Sequence, residues 1–191
     1  MPKIVDEGER RRSIAEHVLS LLSQSGTDAV TYSTVAAEAK VSRGMLQHYF
    51  ASREELLDAA GQALHGRIDS RITQALASPT PTLRLQKVLC CLLPGDDSAL
   101  RDVLAGRAIL ARSLADTEMR GQYILARTQF AELVEGLIEE LVGQPPGRAA
   151  LLANMLIGLL AECTEQLLLQ QLSLVQAEAL LDKAVSEFVT E

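Results

Sequence analysis

Apolar residues recur along this chain at intervals of three and four positions, and no stretch sustains the two-residue alternation of a half-buried strand. Ile14, Val18, Leu21 and Leu22 fall on one face of a helix spanning about Arg10 to Ser25, with Gly26 as its stop. Thr31 is placed to cap a short second helix whose inner residues are Val35, Ala36 and Ala39. Ser42 is placed to cap a third, burying Leu46 and Phe50. Ser52 and Glu55 in "SREE" form a capping-box pattern that opens a long fourth helix running to about Ser78.

The prolines, at positions 2, 79, 81, 94, 145 and 146, punctuate the rest of the chain. "SPTP" ends helix four, and helix five covers about Thr82 to Leu93 before "PG". Two helices lie between Asp96 and Val142, dividing near Asp116, and "GQPPG" (143–147) is the strongest break in the chain. Helix eight then runs from Arg148 to about Gln171. Helix nine opens at Ser173, paired with Gln176 in a second capping box. The pattern predicts an all-α fold of about nine helices: a three-helix head at 1–53 and a larger helical body at 54–191. Helix four forms a continuous rod between them.

Composition agrees with helices around an aliphatic core. Apolar residues make up 48 % of 191 residues, aromatics 3 %, and Trp is absent. The net charge of −7 is uneven: residues 1–53 carry seven Lys/Arg against six Asp/Glu, and the remaining residues eleven against nineteen. That excludes a protein that coats nucleic acid broadly, but not one with a local basic surface. Three cysteines, Cys90, Cys91 and Cys163, without regular spacing, fit a reducing compartment rather than a disulfide scaffold. No stretch approaches the roughly 18–20 apolar residues that span a bilayer. Glu16 and His17 interrupt any signal-peptide reading of the start, so the cytoplasm is the expected location.

Residues 31–50 place two short helices about three residues apart, with Ala36, Ala37 and Ala39 where they approach. This is helix-turn-helix spacing, whose second helix can enter a DNA major groove. Arg43, Met45, Gln47 and His48 lie off the Leu46–Phe50 face and offer a guanidinium for guanine, an amide for adenine and an apolar group for a thymine methyl. Gly44 would let the backbone come close to DNA. Thr31 and Ser42 would present helix amino ends to phosphates, and Tyr49 and Arg53, nearer the bend, would meet the DNA backbone. The competing reading is a helical corner with solvated polar residues.

The stretch "VAAEAKVSRGMLQHYFASREELL" carries a resemblance. It is similar to the DNA-binding head of the TetR family of bacterial transcriptional regulators, whose pattern runs I-A-x-x-A-G-V-S, then x-G-x-L-Y-x-x-F, then S-K-x-x-L-L. Ala36, Ala39, Val41, Ser42, Gly44, Leu46, Phe50, Ser52, Leu56 and Leu57 match. Lys40 replaces the usual turn glycine, which implies either a tolerant turn or strain. Gln47 replaces a tyrosine that commonly meets DNA in the family. "HYF" and "LLPGDDSALRD" are similar to the branch containing choline-responsive betaine-pathway repressors. The resemblance implies a homodimeric repressor on a palindromic operator of double-stranded DNA, released by a small-molecule effector. Effector binding would tilt helix four and change the separation of the two reading heads. Choline itself is not implied, because a quaternary ammonium wants an aromatic cage and the middle of the body holds only Tyr123 and Phe130.

Helices eight and nine are apolar on more than one face. Leu156, Leu160, Leu167, Leu180, Leu181 and Phe188 are the expected dimer contacts, since the family pairs its last two helices as a four-helix bundle. Polar residues near apolar runs, Arg107, Arg112, Gln122, Tyr123 and Glu162, are candidates to line a pocket for a hydrophobic or amphipathic effector. Cys90 and Cys91 raise the alternative of a thiol-based redox sensor, but their apolar neighbours fit buried fillers better. No phosphate loop, nucleophile elbow, H-E-x-x-H or paired Cys/His spacing occurs, so no catalytic residue, metal site or cofactor is expected. A helical enzyme or adaptor without recognisable motifs is the weaker alternative.

Overall fold

A computed structural model of the chain describes residues 7–142 and 147–188, the side chains of Val142 and Phe188 excepted. The described residues form nine α-helices, one short 3-10 turn and no strand. In order these are α1 (Glu7–Ser25), the 3-10 turn (Thr27–Ala29), α2 (Tyr32–Glu38), α3 (Arg43–Tyr49) and α4 (Arg53–Leu76). Next come α5 (Pro81–Cys90), α6 (Asp97–Ser113), α7 (Thr117–Val142), α8 (Arg148–Leu168) and α9 (Leu174–Phe188). The all-α expectation holds.

Local chemistry explains the boundaries. Thr31 and Thr34 form a reciprocal capping box, with Thr34 N donating to Thr31 Oγ1 at 3.2 Å and Thr31 N to Thr34 Oγ1 at 3.0 Å. Ser42 Oγ accepts Met45 N at 3.0 Å. At α4, Ser52 Oγ accepts Glu55 N at 3.1 Å, while the Glu55 carboxylate reaches back one residue further than the box predicts, to Ala51 N at 2.9 Å. Thr80 caps α5 and Pro81 takes its first turn, where no backbone N–H is needed. Ser173 and Gln176 pair ahead of α9. The break expected at 143–147 lies mostly outside the described residues; Gly147, at φ 94°, precedes α8.

Packing divides the chain into two units, one of Met1–Arg67 with Arg101–Gly121, the other of Ile68–Leu100 with Gln122–Glu191. The first takes in more than a three-helix head, because Leu56, Leu57, Ala60 and Leu64 on α4 and Ala105 and Met119 beyond it are buried there as well. Its centre is Ile14, Val18, Leu22, Val35, Leu46 and Phe50. On α4, Arg67 Nη1 meets Glu16 of α1 at 2.7 Å and Nη2 meets Asp102 of α6 at 3.1 Å. Asp102 is 4 % exposed, so this ion pair ties α6 to α4 inside the unit.

The second unit is built around α8, which packs on α9 and α5. Leu85, Val88 and Leu89 of α5, Val134 and Ile138 of α7, Leu152, Leu156 and Leu160 of α8, and Leu181 and Val185 of α9 form its core. Arg84 grips Glu140 with two hydrogen bonds, 3.0 and 2.8 Å, joining α5 to α7. Here the sequence expectation needs a correction: α8, with 21 residues, is long and apolar enough to cross a bilayer by length and composition. Six of its residues, from Ala149 to Cys163, are buried in this core, while others such as Leu151 and Met155 are exposed.

Candidate nucleic-acid interface

α3 has only seven residues, and Leu46 alone among them is buried. Arg43, Gly44, Met45, Gln47 and His48 are exposed, as are the capping residues Thr31 and Ser42, and Tyr49 is half-buried. Arg43 and Gln47 stand one turn apart on the same side of the helix. His48 and Tyr49 meet edge to face, with ring centroids 5.3 Å apart. A Cβ built on Gly44 meets nothing within 4 Å, so its small size answers to no neighbour among the described residues.

The connection between α2 and α3 bends through Lys40 at φ 54°, in the left-handed region where the related pattern has glycine. That conformation crowds a Cβ, so of the two alternatives raised by the sequence the backbone angle favours strain. Lys40 N donates to Ala37 O at 3.2 Å and Val41 N to Ala36 O at 3.0 Å, which closes the turn.

Arg53, expected at the DNA backbone, is half-buried and bonded within the protein. Its Nε donates to Val30 O at 2.8 Å and its Nη2 to Thr27 O at 2.5 Å, so the guanidinium is turned into the protein to hold the 3-10 turn ahead of α2. Two residues not singled out from the sequence hold the other end of α3. Arg11 of α1 donates to the Tyr49 carbonyl and lies 4.4 Å from the centre of the Phe50 ring. Tyr32, the first residue of α2, donates its hydroxyl to the Phe50 carbonyl at 2.7 Å. The arginine run at 10–12 was the only trace of this in the sequence.

The expected effector residues do not gather in one unit. Arg107 and Arg112 belong to the first, where Arg112 faces Asp116 at 3.7 Å. Gln122, Tyr123 and Glu162 belong to the second, and Glu162 is exposed on α8, accepting from Gln166 at 2.6 Å. A small cleft lined by Glu16, Leu19, Ser20, Arg67, Arg101 and Asp102 lies within the first unit and includes none of them.

Among the expected dimer residues, Leu156, Leu160 and Leu181 are buried in the second unit's own core. Leu167 is partly buried against that core, and the Phe188 side chain lies outside the described residues. Leu180 is exposed. Leu151, Met155, Leu169 and Val175 are exposed as well, an apolar surface that sequence periodicity did not separate from the core.

Cys90 and Cys91 are half-buried and Cys163 is buried. Burial, followed by the nearby carboxylates Asp182 and Glu178, pushes the Cys90 thiol up to about 12. Burial also raises Cys91, against the opposing pull of Arg71. Thiols held protonated are poor nucleophiles, which leaves the redox reading without support.

Comparison with known proteins gives this geometry a family. A profile described as bacterial regulatory proteins, tetR family, matches residues 18–60. The helix-turn-helix-type transcriptional regulator BetI of Rhizobium meliloti is 32 % identical over 139 residues, covering 72 % of this chain and 68 % of that protein. The regulator PksA of Bacillus subtilis is 29 % identical over 104 residues, about half of each chain (54 % and 51 %). In fold, the chain is similar to a TetR-family transcriptional regulator of Cytophaga hutchinsonii, with TM-score 0.83 at 14 % identity and 99 % of both chains covered. It is also similar to a protein of Saccharomonospora viridis crystallised in complex with choline, with TM-score 0.85 at 19 % identity, covering 96 % of this chain and 99 % of that one. With the matched segment running from α1 through the capped α2 and α3 into α4, this chain belongs to the TetR family of bacterial transcriptional regulators.

Proposed function

We propose that this regulator is a repressor of the cytoplasm, working as a homodimer on a palindromic operator and released by a small hydrophobic or amphipathic effector. The observation that carries the reading is the division of α3. Leu46 anchors it, while Arg43, Gly44, Met45, Gln47 and His48 are left exposed in a row suited to base edges. A single seven-residue helix reads too few bases for useful affinity, and a two-fold pair reads two half-sites about one turn, ~34–36 Å, apart. Effector binding lowers DNA affinity only as far as the ligand prefers the conformation that does not bind DNA.

The choline bound to the Saccharomonospora viridis protein raises the question of the same ligand here. A quaternary ammonium is held by several aromatic faces, and by sequence the second unit has only Tyr123, Phe130 and Phe188. Phe130 packs against an otherwise aliphatic core. We therefore read the effector as an aliphatic or amphipathic molecule rather than choline.

Selection of bound duplexes from a random pool tests the reading, with a palindromic product expected. On that duplex Arg43→Ala and Gln47→Ala should each cost ~1–3 kcal/mol and relax preference at one symmetric pair of positions. Gly44→Ala should stabilise the free protein by up to ~1 kcal/mol, since alanine suits a helix better than glycine. It should nonetheless weaken binding to every duplex by pushing the backbone away. If all three variants bound like the parent, α3 would not be the DNA-contacting helix.

A further inference from the structure

Base reading needs α3 held at a fixed angle, yet a two-turn helix with one buried side chain has little apolar anchoring of its own. The last carbonyls of any helix also lack partners within it. Phe50, which ends α3 in an extended conformation (φ −137°, ψ 115°), turns the chain away and leaves its own carbonyl and that of Tyr49 to groups outside the helix. Both are taken by side chains from the other two helices of the head. Arg11 reaches from α1 to the Tyr49 carbonyl, with its guanidinium over the Phe50 ring. Tyr32 reaches from α2 to the Phe50 carbonyl. The Phe50 ring beneath Arg11 is itself fully buried, so it forms a firm platform.

We infer that Arg11 and Tyr32 are positioning residues, which set the pose of the reading helix by clamping its C-terminal carbonyls to α1 and α2. The inference rests on α3 being the helix that contacts DNA. A cation at a helix C-terminus also meets the negative end of the helix dipole, which favours Arg11 in this place. Burial, then Glu55 and Glu54, raises the pKa of the Tyr32 phenol, so it stays a donor throughout the neutral range. The clamp differs from a phosphate contact, the ordinary use of an arginine near DNA, in its consequence: misplacing α3 harms selected sequences and leaves non-specific attraction alone.

The test uses Tyr32→Phe, Arg11→Met and Arg11→Lys on the selected palindrome and a scrambled duplex at several salt concentrations, with amide exchange of the free proteins. Loss of one tie should weaken binding to the palindrome about 3- to 10-fold. The scrambled duplex should be bound as before, with an unchanged salt slope. Exchange at residues 46–50 should quicken while α1 keeps its protection. Arg11→Lys, which keeps the charge and one donor, should restore part of the loss. If Arg11→Met instead weakened both duplexes alike and lowered the salt slope by about 0.9, Arg11 would be a phosphate contact and the clamp would fall. Unchanged exchange at residues 46–50 in both Tyr32→Phe and Arg11→Met would overturn it as well, whatever the DNA titrations gave. Arg43→Ala and Gln47→Ala run beside them separate the two failures. If those variants also bound the palindrome like the parent, the assignment of α3 would be at fault, and the exchange data alone would decide the clamp.

Discussion

Lys40 shows how a single residue can work against the turn it occupies. At φ 54° its Cβ crowds the following carbonyl, a conformation costing ~1–2 kcal/mol for a residue other than glycine. Glycine removes the crowding but gives the unfolded chain more freedom, worth ~0.5–1 kcal/mol. Lys40→Gly should therefore stabilise the protein by up to about 1.5 kcal/mol, seen as a higher denaturant midpoint at unchanged slope. A lower midpoint would mean that the Lys40 side chain contributes more than its strain costs. Cys90 gives a second residue-scale expectation. Its folded pKa of about 12 lies above the ordinary 9.0, so its contribution to stability is complete below pH 9.0 and is lost as pH rises towards 12. In that window the unfolded chain releases a proton that the folded chain keeps. The parent should lose stability above pH 9.0 more steeply than Cys90→Ala, and equal slopes would place the thiol in a more solvated setting.

Among the elements, the junction of the 3-10 turn, α2 and α4 adds side-chain-to-carbonyl bonds to the buried contacts of Val30, Val35, Leu56 and Leu57. Arg53 serves two carbonyls there and Thr34 a third, its Oγ1 lying 2.5 Å from Ala29 O. Arg53→Ala should thus cost ~1–3 kcal/mol of stability by removing a charged donor from partly buried carbonyls. The salt dependence of DNA binding should stay as in the parent, whereas a phosphate contact would lower the slope by about 0.9. Thermal melts and salt titrations on one preparation decide between these. The Arg67 ion pairs differ in weight within the same unit. Its contact with Glu16, whose side chain is 49 % exposed, is screened by solvent and contributes little. Its contact with the buried Asp102 balances a charge that would otherwise be left in the interior.

For the whole molecule, the proposal of a two-fold dimer depends on apolar surface that one chain leaves uncovered. Met155 on α8 is 49 % exposed and Leu180 on α9 is 43 % exposed, while Leu181, the next residue, is fully buried. These neighbours should respond differently to the same change. Met155→Asp combined with Leu180→Asp should keep its helicity and run as a monomer in light scattering, with operator affinity reduced because two heads no longer bind together. Leu181→Asp should fail to fold, because it puts a charge into the core of the second unit. A folded, unchanged dimer from the double variant would move the interface to another surface.

The sequence by itself determined the helices and most of their ends. Thr31, Ser42, Ser52 and Ser173 announce their caps through groups only three or four residues away, and such local hydrogen bonds need no tertiary partner. It also marked the exposed side of α3, because a seven-residue helix that buries Leu46 has little choice about what it leaves outside. Only the tertiary structure decided what depends on residues distant in the chain. Arg53 stands where an exposed basic residue was expected, yet it serves carbonyls more than twenty positions earlier. Arg11 and Tyr32 carry no local signature of their hold on α3, 38 and 18 positions away. The leucines of α8 and α9 are alike in type and spacing whichever way they face. Whether one of them fills its own core or is left for a partner depends on how these helices pack against α5 and α7.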